Sequence, residues 1–91
     1  MSEAERKAAL ALPRALGEAK RLMEKGESVE FATDKAIIIL ENHGFGPIDY
    51  VMLCDAVTLE PMTVLDRPAR LLGAAKLGKT RLIDNIAVEP I

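Results

Sequence analysis

Apolar residues at helical spacing dominate the start of the chain. The segment Ser2-Glu3-Ala4-Glu5 matches the capping box, in which a serine and a glutamate satisfy the first free amides of a helix. The apolar residues that follow recur at intervals of three and four, as on one face of a helix, at Ala9, Leu12, Leu16, Ala19 and Met23. Because proline lacks an amide hydrogen and clashes with the preceding turn, we predict a helix that is kinked or restarted near Pro13 and ends at Gly26.

A second helix is predicted between Ser28 and Gly44. The serine can cap its first turn, and the glycine can end it. Its predicted inner face comprises Phe31, Ala32, Ala36, Ile39 and Leu40. The run Ile37-Ile38-Ile39 is β-branched and is also compatible with a strand. The flanking cap and stop, and a length of about 15 residues, favour a helix.

The remainder of the chain favours strands and loops. We predict a loop over residues 44–47, and then a strand from Ile48 to Cys54, which is rich in β-forming residues. The segment from Asp55 to Asp66 contains a proline and shows no clear period. It is therefore predicted to be mostly loop, with a short extended piece near Met62 to Leu65.

A β-hairpin is predicted at the end of the chain. Ala69 to Leu77 and Thr80 to Val88 favour strands, and Gly78-Lys79 separates them by the two residues of a tight hairpin turn. Helices followed by strands indicate an α+β fold. We predict one domain in which two helices, the first kinked near Pro13, pack on a small three-stranded antiparallel sheet that ends in this hairpin.

Size and composition exclude several classes of protein. The 91 residues are 49% hydrophobic, with a formal net charge of −2, which suits one globular domain. No basic stripe is present for nucleic acid, and no apolar run approaches the ~20 residues that span a bilayer. The single cysteine, Cys54, excludes an internal disulfide and fits a reducing, cytoplasmic location.

One segment carries a literal phosphate-binding pattern. Residues 73–80 match the P-loop sequence G-x-x-x-x-G-K-[ST], whose defining positions are Gly73, Gly78, Lys79 and Thr80. In a functional P-loop the amides and the lysine hold phosphate, the threonine holds Mg²⁺, and a helix follows. The short remainder of this chain has no helical pattern and contains Pro90. We therefore interpret the match as accidental and the segment as part of the hairpin.

Two other side chains are candidates for chemistry. His43, the only histidine, can serve as a general base or ligand, but its place beside a helix end favours a capping role supported by the helix dipole. Cys54 is a possible nucleophile, although His43 is its only available imidazole partner. We favour a small core thiol.

Charged residues suggest no metal site. The four aspartates of the second half do not form a recognisable ligand spacing, and we expect them to be solvated or paired with Lys and Arg: Asp49, Asp55, Asp66 and Asp84. A local basic cluster comprises Arg67, Arg70, Lys76, Lys79 and Arg81. Alternate members share a face on a hairpin. Such a face either attracts an anion or is simply solvated, and we favour the interpretation that it is solvated.

Three stretches resemble the pantothenate synthetase family. They are Glu5 to Leu16; Asp49-Tyr50-Val51 with Asp55-Ala56 and Thr58-Leu59-Glu60-Pro61; and Arg67 to Leu72 followed by Leu77-Gly78 and Thr80 to Ile86. The resemblance covers nearly the whole chain but only the C-terminal third of that enzyme. Gly73 departs from the bulkier apolar residue that suits its strand, which indicates local weakening or a close approach of another backbone.

The resemblance implies a function. Pantothenate synthetase joins pantoate to β-alanine using ATP and Mg²⁺, through a pantoyl-adenylate intermediate. Its nucleotide-binding fold and substrate pockets lie in an N-terminal domain that is absent from residues 1–91. The segment present here resembles the C-terminal lid domain, which closes over the active site. We therefore assign no catalytic, cofactor-binding or metal-binding residue. We expect the chain alone to be an inactive monomer whose partner is that N-terminal domain.

Two rival functions follow from the residues themselves. An independent binding module would use an exposed hairpin edge or the basic face to hold another protein. A minimal nucleotide-binding enzyme would use the P-loop match. The position of Met1, where the family's interdomain hinge should end, suggests an excised domain and favours the lid.

Overall fold

The computed structural model describes residues 2–90; Met1 and Ile91, the outermost residues of the predicted domain, lie outside the described residues. The chain forms three helices and then three strands: α1 Glu3–Ala9, α2 Ala11–Glu24, α3 Val29–Asn42, β1 Phe45–Asp55, β2 Ala69–Leu77 and β3 Thr80–Val88. The strands lie in the order β1-β2-β3, and both neighbouring pairs are antiparallel. The predicted α+β class, with helices on a three-stranded antiparallel sheet, is confirmed.

The first predicted helix is divided in two. The capping box is present, since the amide of Glu5 donates to the Ser2 hydroxyl (3.1 Å) and the amide of Ser2 donates to the Glu5 carboxylate (3.0 Å). The helix breaks at Leu10 and restarts as α2. Pro13 explains the place of the break, because it cannot donate to the carbonyl of Ala9, four residues earlier, and its ring crowds that carbonyl.

The buried face of α3 is shifted from the predicted one. Ser28 caps the helix as predicted, accepting from the amide of Phe31 at 3.1 Å. The buried stripe is Val29, Ala32, Ala36 and Leu40, spaced by three and four residues. Phe31 lies off this stripe and is 41% exposed, so its assignment to the inner face was wrong. Its ring instead lies 5.5 Å from the ammonium of Lys35, one turn along the outer side of the helix.

Strand β1 begins earlier than the sequence indicated. It starts at Phe45, which pairs with Leu77, so the predicted loop over residues 44–47 is wrong except for the turn at Gly44. The pairing of β1 with β2 is irregular between Phe45 and Tyr50. Pro47 lies within this irregular stretch, and proline is tolerated at a bulge of an edge strand. Burial of Phe45, which is 4% exposed, holds the segment on the sheet.

The long connection between β1 and β2 follows the free edge of β1. Its extended residue is Pro61, which bridges to Cys54, so the predicted extended piece near residues 62–65 lies too far along the chain. The amide of Met62 then donates to the carbonyl of Leu53 at 2.8 Å. Because the Met62 side chain is buried, this extended stretch beside β1 also closes the end of the core.

The predicted hairpin is confirmed to the residue. Leu77 pairs with Thr80 across the turn at Gly78-Lys79, and Gly78 has a positive φ of 62°, a conformation that glycine adopts without a steric penalty. The core lies between the helices and one face of the sheet, with α2 over β2 and β3 and with α3 over β1. The helices approach β2 closely at Gly73, where an added Cβ would lie 3.1 Å from Leu16.

Candidate functional site

The P-loop pattern falls on two antiparallel strands. Gly73 lies within β2, the central strand, and is buried beneath α2, whereas Gly78 and Lys79 form the exposed turn and Thr80 begins β3. The backbone of residues 73–77 pairs with β1 on one side and β3 on the other. The four defining residues are therefore spread along a hairpin. Their amides do not converge as they do in a phosphate-binding loop.

The second face of the sheet carries the most distinctive grouping of side chains. Successive strand residues point to opposite faces. Leu53, Leu71 and Ala75 belong to the helix-covered core, so the alternate positions face away from the helices. Using the observed register, we define the open face as Tyr50, Met52 and Cys54 of β1, Arg70, Leu72, Ala74 and Lys76 of β2, and Arg81, Ile83, Asn85 and Ala87 of β3.

Two rows of paired residues form the centre of the open face. Tyr50, Ala74 and Ile83 are partners across the three strands, and Met52, Leu72 and Asn85 form the adjacent row. Ala74 is fully buried although none of the described helices covers this side, while Ile83 remains 61% exposed. This apolar patch was not predicted from the sequence. The strands carry apolar residues at successive as well as alternate positions, and this pattern was the available signal that both faces of the sheet are apolar.

An ion pair spans the open face near the hairpin turn. Arg81 of β3 donates from Nε to Oδ2 of Asp49 on β1, at 2.7 Å. The extra residue in β1 between Ile48 and Tyr50 explains why Asp49 is available there, since a bulge re-aims a side chain. The Asp49 carboxylate raises the pKa of Arg81. Lys76 is the strand partner of Arg81, so both cations lie at this end.

The predicted basic cluster is only partly assembled. Arg70, Lys76 and Arg81 share the open face, and Lys79 lies in the adjoining turn. Arg67 lies elsewhere, paired with Asp55 at 2.6 Å and with Asp66 at 3.0 Å. These arginines are close together in the sequence, and the cluster was predicted for that reason. Arg67, however, precedes β2 and belongs to the connection between β1 and β2.

Asp55 organises the loop that follows β1. Its Oδ1 accepts from the amides of Val57 (2.7 Å) and Thr58 (3.0 Å), and its Oδ2 accepts from Nε of Arg67. The Thr58 amide, the Arg67 guanidinium and the Val57 amide together lower the pKa of Asp55 to about 2. This carboxylate therefore remains ionised and fully engaged in holding the loop, which displays Leu59 with an unusual positive φ of 64°.

His43 and Cys54 occupy structural positions. His43 is the C-cap of α3, and its Nδ1 lies 2.8 Å from the carbonyl of Ile39, so this nitrogen is the donor. Cys54 is buried, and burial raises the pKa of its thiol. It lies on the open face rather than in the helix–sheet core, because the strand alternation places its neighbour Leu53 in the core instead.

The four aspartates singled out in the sequence each accept a hydrogen bond. Asp49, Asp55 and Asp66 pair with arginines, and the carboxylate of Asp84 accepts from the amide of Asn85 at 2.8 Å. Across residues 2–90, no three His, Cys, Asp or Glu side chains are grouped closely enough to hold a metal ion. Within the same span, no helix is long and apolar enough to cross a membrane.

One open depression lies at the far end of the domain, between the α2–α3 turn and the β1–β2 connection. It has a volume of about 380 Å³ and is lined by Met23, Gly26, Glu27, Ser28, Val29, Thr63, Val64 and Leu65. Glu27 is its only charged residue. None of the candidate residues identified from the sequence lies in it.

Comparison with known proteins gives a consistent result. The family model described as pantoate–β-alanine ligase matches residues 1–87. A pantothenate synthetase from Rhizorhabdus wittichii is 57% identical over 90 residues, which are 99% of this chain and 32% of that protein. One from Sphingopyxis alaskensis is 43% identical over 88 residues, 97% of this chain and 32% of that protein.

The fold leads to the same group of enzymes. The crystal structure of pantothenate synthetase from Thermus thermophilus superposes with a TM-score of 0.87 at 32% identity, covering 99% of this chain and 33% of that one. The chain therefore spans about a third of the length of the relatives that it matches. Sequence and fold agree along almost all of its residues, and the chain belongs to the pantoate–β-alanine ligase family.

Proposed function

We propose that this chain is the C-terminal lid domain of a pantothenate synthetase. The observation that carries the proposal is the extent of the match: almost every residue here corresponds to one third of a complete synthetase, in sequence and in fold. A unit of this kind supplies a rigid body rather than a complete active site. Its larger partner would be the N-terminal domain of the same enzyme, acting in the cytoplasm, and the isolated domain would be monomeric.

The reaction explains why a lid is needed. The complete enzyme would activate pantoate with ATP and Mg²⁺, forming pantoyl adenylate and pyrophosphate, and β-alanine would then displace AMP. Water competes with β-alanine for the adenylate and returns pantoate and AMP without product. Closing a domain over the intermediate excludes water without requiring catalytic side chains on that domain. We accordingly assign no catalytic residue in this chain, His43 and Cys54 included.

We further propose that the P-loop pattern has no role in binding ATP. The amides of residues 73–77 are committed to the strands on either side, and Lys79 lies in an exposed turn. Titration of the chain with ATP and Mg²⁺ by calorimetry should give no binding heat, and Lys79→Ala should behave identically. Binding that disappears in Lys79→Ala would overturn this assignment and favour the nucleotide-binding alternative.

The lid role is tested with a hybrid synthetase, in which this chain replaces the segment that it matches in the Rhizorhabdus wittichii enzyme. The readouts are pantothenate formed and AMP released. We expect the hybrid to release about one AMP per pantothenate, because a closed site suppresses hydrolysis. The chain alone should form no pantothenate.

The matched control is the same enzyme truncated before this segment. It should form less pantothenate than the hybrid and should release excess AMP for each product molecule. A hybrid no better than the truncated enzyme, or pantothenate formation by the chain alone, would refute the proposed function.

A further inference from the structure

The open face of the sheet has the composition of a surface that another protein covers. An antiparallel sheet with one solvated face normally carries polar residues on that face. Here the two central rows contain Tyr50, Met52, Leu72, Ala74 and Ile83. None of these five side chains belongs to the helix–sheet core or packs against it. Their apolar surface therefore lies outside the core between the helices and the sheet.

The charge on the open face differs in sign from that of the whole chain. Arg70, Lys76 and Arg81 lie on it, and Asp49, which reaches it from the bulge in β1, is paired with Arg81. The chain as a whole carries a formal net charge of −2. The face is thus an apolar centre with a positive border. Its complement is an apolar patch bordered by carboxylates, because complementary potentials favour correct docking.

The open face is also preorganised. Its residues lie on three hydrogen-bonded strands, and the pair between Arg81 and Asp49 connects the two outer strands over the middle one. Ala74 and Cys54 are already buried by their neighbours. Docking such a surface requires little ordering of the chain, which reduces the entropic cost of association.

We propose that the open face is the surface through which this domain docks on the larger, N-terminal part of the same synthetase. The proposal rests on the proposed function and adds the side of the domain that faces the partner. The relatives contain about twice as much chain beyond the matched segment, which is ample to cover it. A second copy of this chain is disfavoured as the partner. A two-fold pairing would place the open faces of the two copies against each other, so that Arg70, Lys76 and Arg81 of one copy would meet the same cations of the other.

Lysine footprinting tests the contact directly. Lys76 lies on the open face and Lys35 on the exposed side of α3, so the two serve as probe and internal control. Acetylation by an activated ester is compared between the isolated chain and the hybrid synthetase in ATP, Mg²⁺ and pantoate. We expect Lys76 to react several-fold more slowly in the hybrid, and Lys35 to react equally in both. Equal reactivity of Lys76 in both would overturn the proposal.

A pair of matched variants of the hybrid gives the functional counterpart. Lys76→Glu/Ile83→Glu alters the open face, and Lys35→Glu/Ile38→Glu places the same substitutions on the outside of α3, where Ile38 is 49% exposed. The first pair should raise the AMP released per pantothenate several-fold, and the second should leave it unchanged. Circular dichroism of each isolated chain confirms that it is folded. A folded open-face variant with normal coupling would contradict the proposal.

Failures of the two proposals are distinguishable. An inactive hybrid with a protected Lys76 would refute the lid function and leave the docking surface standing. An active, tightly coupled hybrid with an unprotected Lys76 would refute the docking surface alone. Sedimentation of the isolated chain adds a third outcome, because a dimer that Lys76→Glu/Ile83→Glu dissociates would assign the open face to a second copy and overturn the proposed occupant.

Discussion

Arg81 on β3 is bound to Asp49 on β1 at 2.7 Å, across the intervening strand β2. The two residues are separated by 32 positions in the chain, and neither strand pairs with the other. The contact is a side-chain brace that joins the two edges of the sheet. Both side chains are substantially exposed, at 47% and 37%, and the attraction between them is consequently screened by solvent and salt.

We predict that the brace contributes little to stability and that its contribution depends on salt. Arg81→Ala and Asp49→Ala should each lower Tm by about 1–3 °C in dilute buffer, because exposed pairs are weak. In 1 M NaCl the coupling in the double-mutant cycle should vanish. Thermal unfolding of the two single variants and the double variant measures this. A coupling that persists undiminished in 1 M NaCl would show that the contact is not mainly electrostatic.

Asp55 should control stability at acid pH. Its pKa in the folded chain is about 2, against an ordinary value of 3.8. A lowered folded-state pKa means that the carboxylate stabilises the fold above pH 3.8, and that this stabilisation is lost as the pH falls from about 4 to 2. Asp55→Asn keeps a carbonyl acceptor for the loop amides but removes the ion pair with Arg67. It should be less stable than the parent at pH 7 and less sensitive to pH below 4.

Urea unfolding at pH 7, 4, 3 and 2 measures this effect. Asp34→Asn, at an exposed position of α3, is the matched control and should retain the acid sensitivity of the parent chain. If Asp55→Asn loses stability between pH 4 and pH 2 as steeply as the parent does, another carboxylate is responsible.

Gly73 marks a close approach of α2 to the sheet. An added Cβ would lie 3.1 Å from Cδ2 of Leu16 and 3.2 Å from Cδ1 of Leu12, closer than ordinary packing allows. Gly73→Val should destabilise the domain by about 1–3 kcal/mol, since overpacking forces side chains from their preferred rotamers. Gly73→Ala should be milder, because leucine side chains can yield by a few tenths of an ångström. Chemical denaturation of both variants checks the order.

Gly17 provides the contrast on the other side of the same helix. It lies in α2 and is exposed. Beyond its two chain neighbours and the nearby backbone of its own helix, no atom of the described residues lies within 4 Å of an added Cβ. Gly17→Ala should stabilise the domain by about 0.5–1 kcal/mol through helix propensity. If Gly73→Ala and Gly17→Ala change the free energy of unfolding equally, the close packing of α2 against Gly73 imposes no steric cost on an added methyl group.

Local signals predicted the elements whose causes are local. The capping box at Ser2, the cap at Ser28 and the turn at Gly78 depend on residues within one turn of each other, and all three are found. The exposure of Phe31 and the inclusion of Phe45 in β1 depend on tertiary packing instead. Phe31 lies outside the buried stripe of α3, and Phe45 extends β1 through a Gly-Pro pair because its ring is buried. Neither outcome follows from neighbouring residues.

The open face shows a different limit of sequence reasoning. Alternation within a strand predicts which side chains share a face, but it does not predict which face the helices cover. The strands here carry apolar residues on both faces. The small buried thiol predicted at Cys54 is found, but it lies on the open face rather than between the helices and the sheet. The strand register places Ile83 beside Ala74, and the bulge in β1 turns Asp49 towards Arg81. Both features depend on how the three strands pair, which the sequence of one strand does not specify.

Cys54 gives a measurable consequence of that placement. The thiol is 1% exposed, and burial raises its pKa, so both access and the thiolate fraction are reduced. We predict that an aromatic disulfide reagent at pH 8 reacts with the folded chain about tenfold or more slowly than with the urea-unfolded chain. Ile83→Cys in a Cys54→Ala background is the control on the same face. It should react promptly when folded, because Ile83 is 61% exposed. Prompt reaction of Cys54 in the folded chain would mean that this part of the sheet opens readily.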